Sequence, residues 1–360
     1  MAPLPTGRGG KGMRQACSRV FFAVVCAGLI CDAATAQDSV EAFYKGKQIN
    51  VVVGSSAGGG YDAYARLLAR HMGNFIPGNP ALVVQNMSGA GSNRAAGYVY
   101  SVAPKDGTVI GAIFPGAILQ PLFGDVALAH DPSKLIYLGS ANSDQYVCYV
   151  RADAPVKTFQ DVLKQELIVG ASNEGATTRD LPALMNNVLG TKFRIVTGYA
   201  GSREITLALE RNEVQGTCGV GWTGIVTIHP EWFERGTIKV LAQLGIKGHP
   251  DLDRMGVPLA INFAKSADDR AVLGLVMSQS IFGRPFVLPP ETPAERVAAL
   301  RKAFVEALRS KSLLAESEKM KLDIGLLAGE DLQTLVRHLY ATPVHIVERA
   351  RQALAAKPQR

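Results

Sequence analysis

Short runs of aliphatic and β-branched residues alternate along the chain with stretches whose apolar positions recur at helical spacing. Ile49-Asn50-Val51-Val52-Val53 reads as a buried strand ending at Gly54. Residues 61–72 follow as a helix, with Leu67, Leu68 and Met72 on one face. The alternation continues with strands at 82–85, 108–114, 135–140 and 145–150, and a helix at 91–102. A second series gives a short helix at 159–163, a strand at 167–170 and a helix at 178–189, then 194–196, 202–211 and 214–220. Residues 239–244 and 280–287 read as strands returning toward the first series, separated by a looser stretch at 248–266. The tail is helical over 292–311 and 331–356, opened by Thr292-Pro293 with Glu295 in the first turn. Such alternation predicts an α/β fold with mainly parallel sheets.

The first residues stand outside this pattern. Arg8, Lys11, Arg14 and Arg19 precede an apolar run at 20–31, which ends in Asp32-Ala33-Ala34-Thr35-Ala36. A basic start, a short apolar run and an A-x-A ending are the layout of a secretory signal. Residues 1–36 are therefore read as a signal peptide cleaved after Ala36, with export to the periplasm; Met13 serves equally well as a start. The apolar run is too short to span a bilayer as a helix. Lipid attachment at Cys31 is the competing reading, but Leu29-Ile30 stand where that motif carries a small residue. The remaining 324 or so residues exceed what one core usually supports, so two lobes are expected: 37–140 plus 246–360, and 141–245.

The chain carries 38 Lys and Arg against 31 Asp and Glu, and without the leader's four basic residues and one acid the excess falls to +4. No basic tract interleaved with aromatics stands out, so nucleic-acid binding gains no support. A modest positive balance suits an anionic ligand without demanding one. Three of the five cysteines leave with the leader. Cys148 and Cys218 remain, either as two buried thiols or, in an oxidising compartment, as a disulfide. No Cys/His spacing suggests a metal site.

Candidate chemistry gathers where strands end and helices begin. The first loop is Gly54-Ser55-Ser56-Ala57-Gly58-Gly59-Gly60-Tyr61-Asp62, the second Asn86-Met87-Ser88-Gly89-Ala90-Gly91-Ser92-Asn93-Arg94, and the third Gly170-Ala171-Ser172-Asn173-Glu174-Gly175-Ala176-Thr177-Thr178. Glycines let a ligand approach main-chain N–H groups, and a helix N-terminus suits a carboxylate or phosphate. Ordinary tight turns are the plain alternative; their recurrence in both halves of an exported chain favours one shared anion cleft. Gly54-x-Ser56-x-Gly58 also spells a nucleophile elbow, which would make the chain a secreted serine hydrolase using Ser56. Ser56 lies within about 20 residues of the mature start, leaving no room for an upstream oxyanion-hole segment. Gly58-x-Gly60-x-x-Ala63 fits a dinucleotide fingerprint, but the acid that should hold the ribose is missing: after Asp62 the next is Asp106.

Taken in order, several segments resemble the substrate-binding receptors of tripartite tricarboxylate transporters, the Bug or TctC family. They are the strand and Gly-Gly-x-x-Asp-x-x-x-Arg over 49–66, Asn-x-x-Gly-Ala-Gly-x-x-x-Ala over 84–95, and Ala103-Pro104-Lys105-Asp106-Gly107-Thr108. Pro155-Val156-Lys157-Thr158, Tyr199-Ala200-Gly201-Ser202, Leu241-Ala242 and Thr292-Pro293 complete the series. The resemblance implies a type II periplasmic-binding-protein fold, two α/β lobes joined by crossover strands. It implies a monomer with no cofactor, no metal and no catalysis, which captures a small organic acid and hands it to an integral membrane transporter. A sensory receptor signalling to a membrane kinase would use the same cleft. Carried over, the binding residues are Ser55, Ser56, Ala57, Gly58, Gly59, Gly60, Tyr61 and Asp62 on one side, with Phe114, Pro115 and Gly116 lining the same hollow. Ser172, Asn173, Gly175, Ala176, Thr177, Tyr199, Ala200, Gly201 and Ser202 face them from the second lobe. Two residues stay open: Asp62 caps the first helix or meets an ammonium group, and Trp222 packs on the ligand or in the core. The third loop departs from the family's usual Ser-Pro-Gly-x-Gly, and Glu174 within it is read as solvent-exposed.

Overall fold

The computed structural model describes residues 1–3, 40–55, 57–124, 130–172, 176–199 and 201–355. The signal segment with its cleavage after Ala36, and site residues Ser56, Asn173, Gly175 and Ala200, lie outside the described residues, as does Glu174.

Eleven strands are described: β1 (Gln48–Val53), β2 (Ala81–Asn86), β3 (Val109–Ala112), β4 (Ile136–Ser140), β5 (Tyr146–Arg151), β6 (Leu167–Gly170), β7 (Phe193–Val196), β8 (Gly216–Gly221), β9 (Ile238–Leu244), β10 (Pro285–Leu288) and β11 (Leu327–Ala328). They form two sheets, ordered β11-β4-β10-β3-β1-β2 and β7-β6-β8-β5-β9. Val51, Val52 and Val53 are all buried, as expected of a central parallel strand covered on both faces. Parallel pairing holds where helices carry the chain from strand to strand: β1 with β2 and β3, and β6 with β7 and β8. The other pairings are antiparallel, because β10 returns between β3 and β4, and β5 lies between β8 and β9. The sheets are thus mixed rather than mainly parallel.

This topology sets two strand-end edges facing each other. β10 runs antiparallel to both β3 and β4, so β4 is parallel to β1, β2 and β3, and all four end at one edge. β5 begins at Tyr146, opposite Gly221 at the end of β8 and Leu244 at the end of β9. The link 141–145 therefore ties the C-terminal edge of the first sheet to the edge of the second where β6 and β8 end. Ligands of open α/β sheets gather at such edges.

Several boundaries differ from the sequence reading. The expected strand at 280–287 begins only at Pro285. Ser278–Ser280 form a 3₁₀ turn closing the helix Ala267–Met277, with the Ser278 and Ser280 hydroxyls donating to Leu275 O (2.7 Å) and Met277 O (2.9 Å). The stretch at 248–266 contains a short helix, Pro250–Arg254. In the tail, Ser310 ends the helix Ala294–Arg309 and caps Lys311–Lys319. Pro343 separates Gly329–Tyr340 from Val344–Leu354, since proline has no N–H for the helical ladder.

One buried cluster runs through the helix Thr177–Leu189 into the helices Ala267–Met277 and Val344–Leu354. Asn187 Nδ2 donates to Ala353 O at 2.7 Å, and Arg179 Nη1 donates to Leu354 O. Cys148 on β5 and Cys218 on β8, facing each other in register, form a disulfide with their Cα atoms 3.9 Å apart.

Candidate ligand cleft

The first loop is held by a single carboxylate. Asp62, in the first turn of the helix Gly60–Met72 and only 3% exposed, accepts from Gly58 N at 2.8 Å, Arg66 Nε at 2.9 Å and Asn86 Nδ2 at 2.9 Å. Asn86 Nδ2 also donates to Ser55 O at 3.0 Å, joining the ends of β1 and β2. Asp62 thus reaches back to the loop from inside the helix, satisfying an N–H that precedes it. The Arg66 bond, with those from Gly58 and Asn86, holds the Asp62 carboxyl down to about 2. A carboxyl lowered on folding stabilises the fold above its unfolded value near 4 and loses that contribution as pH falls toward 2. Arg66 is open to solvent, so the gain is modest. Asp62→Asn should lower the melting temperature by about 2 °C at pH 7 and by much less at pH 2, where half the carboxyl is already protonated. Equal melting temperatures at pH 7 would show that the carboxylate does not hold the loop.

The second loop links the first to the turn after β3. Ala90, Gly91 and Ser92 all have positive φ, at 47°, 59° and 76°, a conformation that costs energy at the alanine and serine. It places the Ser92 hydroxyl, on a residue 1% exposed, under Gly54, where it accepts from Phe114 N at 3.1 Å. Phe114 precedes the helix Pro115–Leu119, with Pro115 at its start and Gly116 behind it, and its ring lies 4.1 Å from that of Tyr61. Ala57 and Gly58 are exposed; Gly59 opens the Gly60–Met72 helix.

On the second sheet, Ser172 N donates to Thr178 Oγ1 at 3.0 Å, tying the residue after β6 to the first turn of the helix Thr177–Leu189, which opens at Ala176. Thr177 Oγ1 donates to Gly219 O at 2.7 Å, and glycine is required at 219 both by its φ of 78° and by the Thr177 backbone, which leaves no room for a side chain. The Tyr199 ring rests against Gly170 at the end of β6, and Gly201 opens the helix Ser202–Glu210. Trp222 takes the core reading: it is 5% exposed, with its ring 5.1 Å from Phe233 in an edge contact.

Between the two edges stands a group that sequence reasoning missed. Arg284, just before β10, stacks its guanidinium 4.2 Å from the Tyr61 ring centre and 5.2 Å from that of Tyr64. A side chain on Gly60 would meet Arg284 Nη2 at 3.6 Å, so the guanidinium lies against the first loop. Nearby, in the 141–145 link, stands Asp144, and Gly221 is glycine because a Cβ there would fall 1.9 Å from Asp144 Oδ2. Burial pushes the Asp144 carboxyl up to about 6, against the pull of Arg284 and the Thr223 N–H. The buried Tyr146 senses Tyr61, Arg284 and Asp144 together, so residues of both sheets meet here. A cavity of about 220 Å³ opens beside Asp144, lined also by Lys247, His249 and Ser280. Arg284 thus lies against Gly60, Asp144 against Gly221, and Thr177 against Gly219. Among the described residues no cluster of His, Cys, Asp and Glu could hold a metal, and no helix is long and apolar enough to cross a membrane.

Two mixed sheets joined by the short 141–145 link are a fold shared with solved periplasmic solute-binding proteins. Solved structures of the TctC and Bug type share this fold. A TctC solute-binding protein from Polaromonas, without ligand, is 21% identical, covers 86% of this chain and 99% of its own, and superposes with a TM-score of 0.66. MatC from Rhodopseudomonas palustris, with bound malate, is 21% identical over 84% of this chain and 99% of its own, with a TM-score of 0.60. The UPF0065 protein in the TAR-I ttuE-ttuC' intergenic region of Agrobacterium vitis is 28% identical over 197 residues, 50% of this chain and 51% of that protein. The chain thus matches about half the length of this curated relative. No family profile matches the chain.

Proposed function

We propose that this chain is a periplasmic receptor of the TctC/Bug kind that captures a small organic carboxylate between lobes 37–140 plus 246–360 and 141–245. The observation that carries this reading is the pair of strand-end edges joined by the 141–145 link, each bearing glycine-rich helix starts. Unpaired N–H groups at such starts suit a carboxylate. Malate bound to MatC, a protein of the same fold, supports the ligand class. The ligand favours the closed arrangement of the lobes by binding it better than the open one. The receptor works as a monomer without catalysis or cofactor, reaches the periplasm by the leader cleaved after Ala36, and delivers its ligand to integral membrane transporter subunits.

A thermal-shift panel tests this. At 100 times its dissociation constant, a cognate acid adds about 2.7 kcal/mol and raises the melting temperature by several degrees, while neutral sugars leave it unchanged. Stabilisation by a sugar and by no acid would end the reading, and ester hydrolysis abolished by Ser56→Ala would put a hydrolase in its place.

A further inference from the structure

Chain order and contact divide the molecule differently. After β9 the chain does not return at once to the first sheet. Gln243, fully buried on β9, donates from Nε2 to Asp253 Oδ1 and Val257 O and accepts from His249 N, each at 2.8 Å, so residues 249–257 stay folded against the second sheet. Leu252 is buried there with Tyr149 and Val240, and the Phe263 ring lies 4.7 Å from that of Phe159. The helix Ala267–Met277 then packs on Thr177–Leu189, and only 281–284 leads back to β10.

A further crossing separates the last two described helices. Gly329–Tyr340 belongs to the first sheet: Gln333 accepts from Tyr137 N and donates to Leu135 O, each at 3.2 Å, and Tyr340 OH donates to Ile118 O at 2.8 Å. Beyond Pro343, Val344–Leu354 lies on Thr177–Leu189 and Ala267–Met277. Arg349 Nη2 donates to Asp269 Oδ1 at 2.6 Å, and the backbone oxygens of Ala353 and Leu354 accept from Asn187 and the buried Arg179. On its other side the helix meets the turn Gln120–Phe123 of the first lobe, whose Leu122 and Phe123 pack on the same apolar cluster. A cavity of about 560 Å³ opens at its joint with Gly329–Tyr340, lined by Leu335 and Leu339 and, from the other two helices, by Ala271, Leu275 and Ile346. Directional bonds to buried groups are costly to break, whereas apolar contact is non-directional and can slide.

Resting on the closing-receptor reading above, we infer that the helices Ala267–Met277 and Val344–Leu354, assigned to the first lobe by chain order, travel with the second lobe when the cleft closes. The boundary of motion then runs through 281–284 and 341–343 as well as 141–145, and Val344–Leu354 is a strap from the first lobe fastened to the second. The first two of these joints run side by side, with Ala141 N donating to Arg284 O and Asp144 N to Ser280 O, each at 3.0 Å. Were the two helices to stay with the first lobe, closure would shear them across Thr177–Leu189 and break the bonds to Asn187 and Arg179.

Electron-resonance distances between spin labels test this on the purified exported protein, whose two remaining cysteines are bonded to each other. Lys302→Cys marks the first lobe, Glu213→Cys the second and Gln352→Cys the strap, all at exposed positions. With a saturating acid from the thermal-shift panel, the distances from site 302 to sites 213 and 352 should both shift by more than about 2 Å, while 213 and 352 keep their separation within about 1 Å. A strap that keeps its distance to 302 while 213 moves, a shift between 213 and 352, or no shift in any pair of a sample that binds the acid would overturn the inference and leave the carboxylate receptor standing. Failure of every acid to bind would instead remove the receptor reading on which it rests.

Discussion

Replacing Cys148 and Cys218 together by alanine lowers the unfolding free energy by about 4 kcal/mol. The bond closes a span of 70 residues, and cross-linking the unfolded chain over such a length removes much of its conformational freedom. The two strands meet whether or not the bond exists, because their register pairs Cys148 with Cys218 inside a sheet whose neighbouring residues are buried. The alanine variant should therefore fold to the same circular dichroism spectrum and unfold at lower denaturant with an increased slope, as its unfolded state expands. Both sulfurs are fully buried, so the native protein should resist mild reductant until it opens. Identical denaturant midpoints for the two forms would show that the bond is absent from the folded protein.

Gly54→Ala should cost about 2–3 kcal/mol and weaken ligand binding as well. A Cβ at Gly54 would stand 1.7 Å from Ser92 Oγ and 3.2 Å from Ser92 Cα, so the whole second loop would have to shift rather than one side chain. That loop positions Phe114 through the Ser92 hydroxyl, and Phe114 packs on Tyr61. The clash thus spreads to three strand ends at once. Ser92→Gly added to Gly54→Ala removes the obstructing atoms and suits the positive φ at 92, so the double variant should regain most of the stability. Chemical denaturation of the two variants checks this, and a Gly54→Ala protein as stable as the wild type would contradict the packing described here.

Much of the fold could be read from residue patterns. The run Val51-Val52-Val53 and the glycines after it mark a buried strand feeding a helix, because a doubly covered strand is apolar throughout and its exit needs room. Asp62 and Asn86 were legible as members of loops, but not as partners, since their pairing depends on β1 lying beside β2. The returning segment was misread because Ser280-Ile281-Phe282 has strand-like composition, and only the hydroxyl bonds back to the preceding helix turn it away from the sheet. Antiparallel insertion of β10 and β5 has no signature in hydrophobic spacing, so the mixed pairing went unseen.

Arg284 and Asp144 show the limit most clearly. Each is a single charged residue in an unremarkable stretch, and they meet only because the chain crosses between the sheets at 141–145 and later returns to the first sheet at β10. Gly221 carried the one available hint: a glycine ending a strand before a helix suggests close approach, and the approaching group is Asp144. Trp222 beside it was the more conspicuous residue, yet its ring packs against Phe233.

Hydrogen exchange on the purified chain, with and without a saturating acid from the thermal-shift panel, tests the joint capture of ligand by both lobes most directly. The amides at 57–61 and at 176–178 should slow together on binding, since each set donates to, or is covered by, the same bound molecule. Protection confined to one of these two segments, or to neither, in a sample that demonstrably binds the acid would contradict the account.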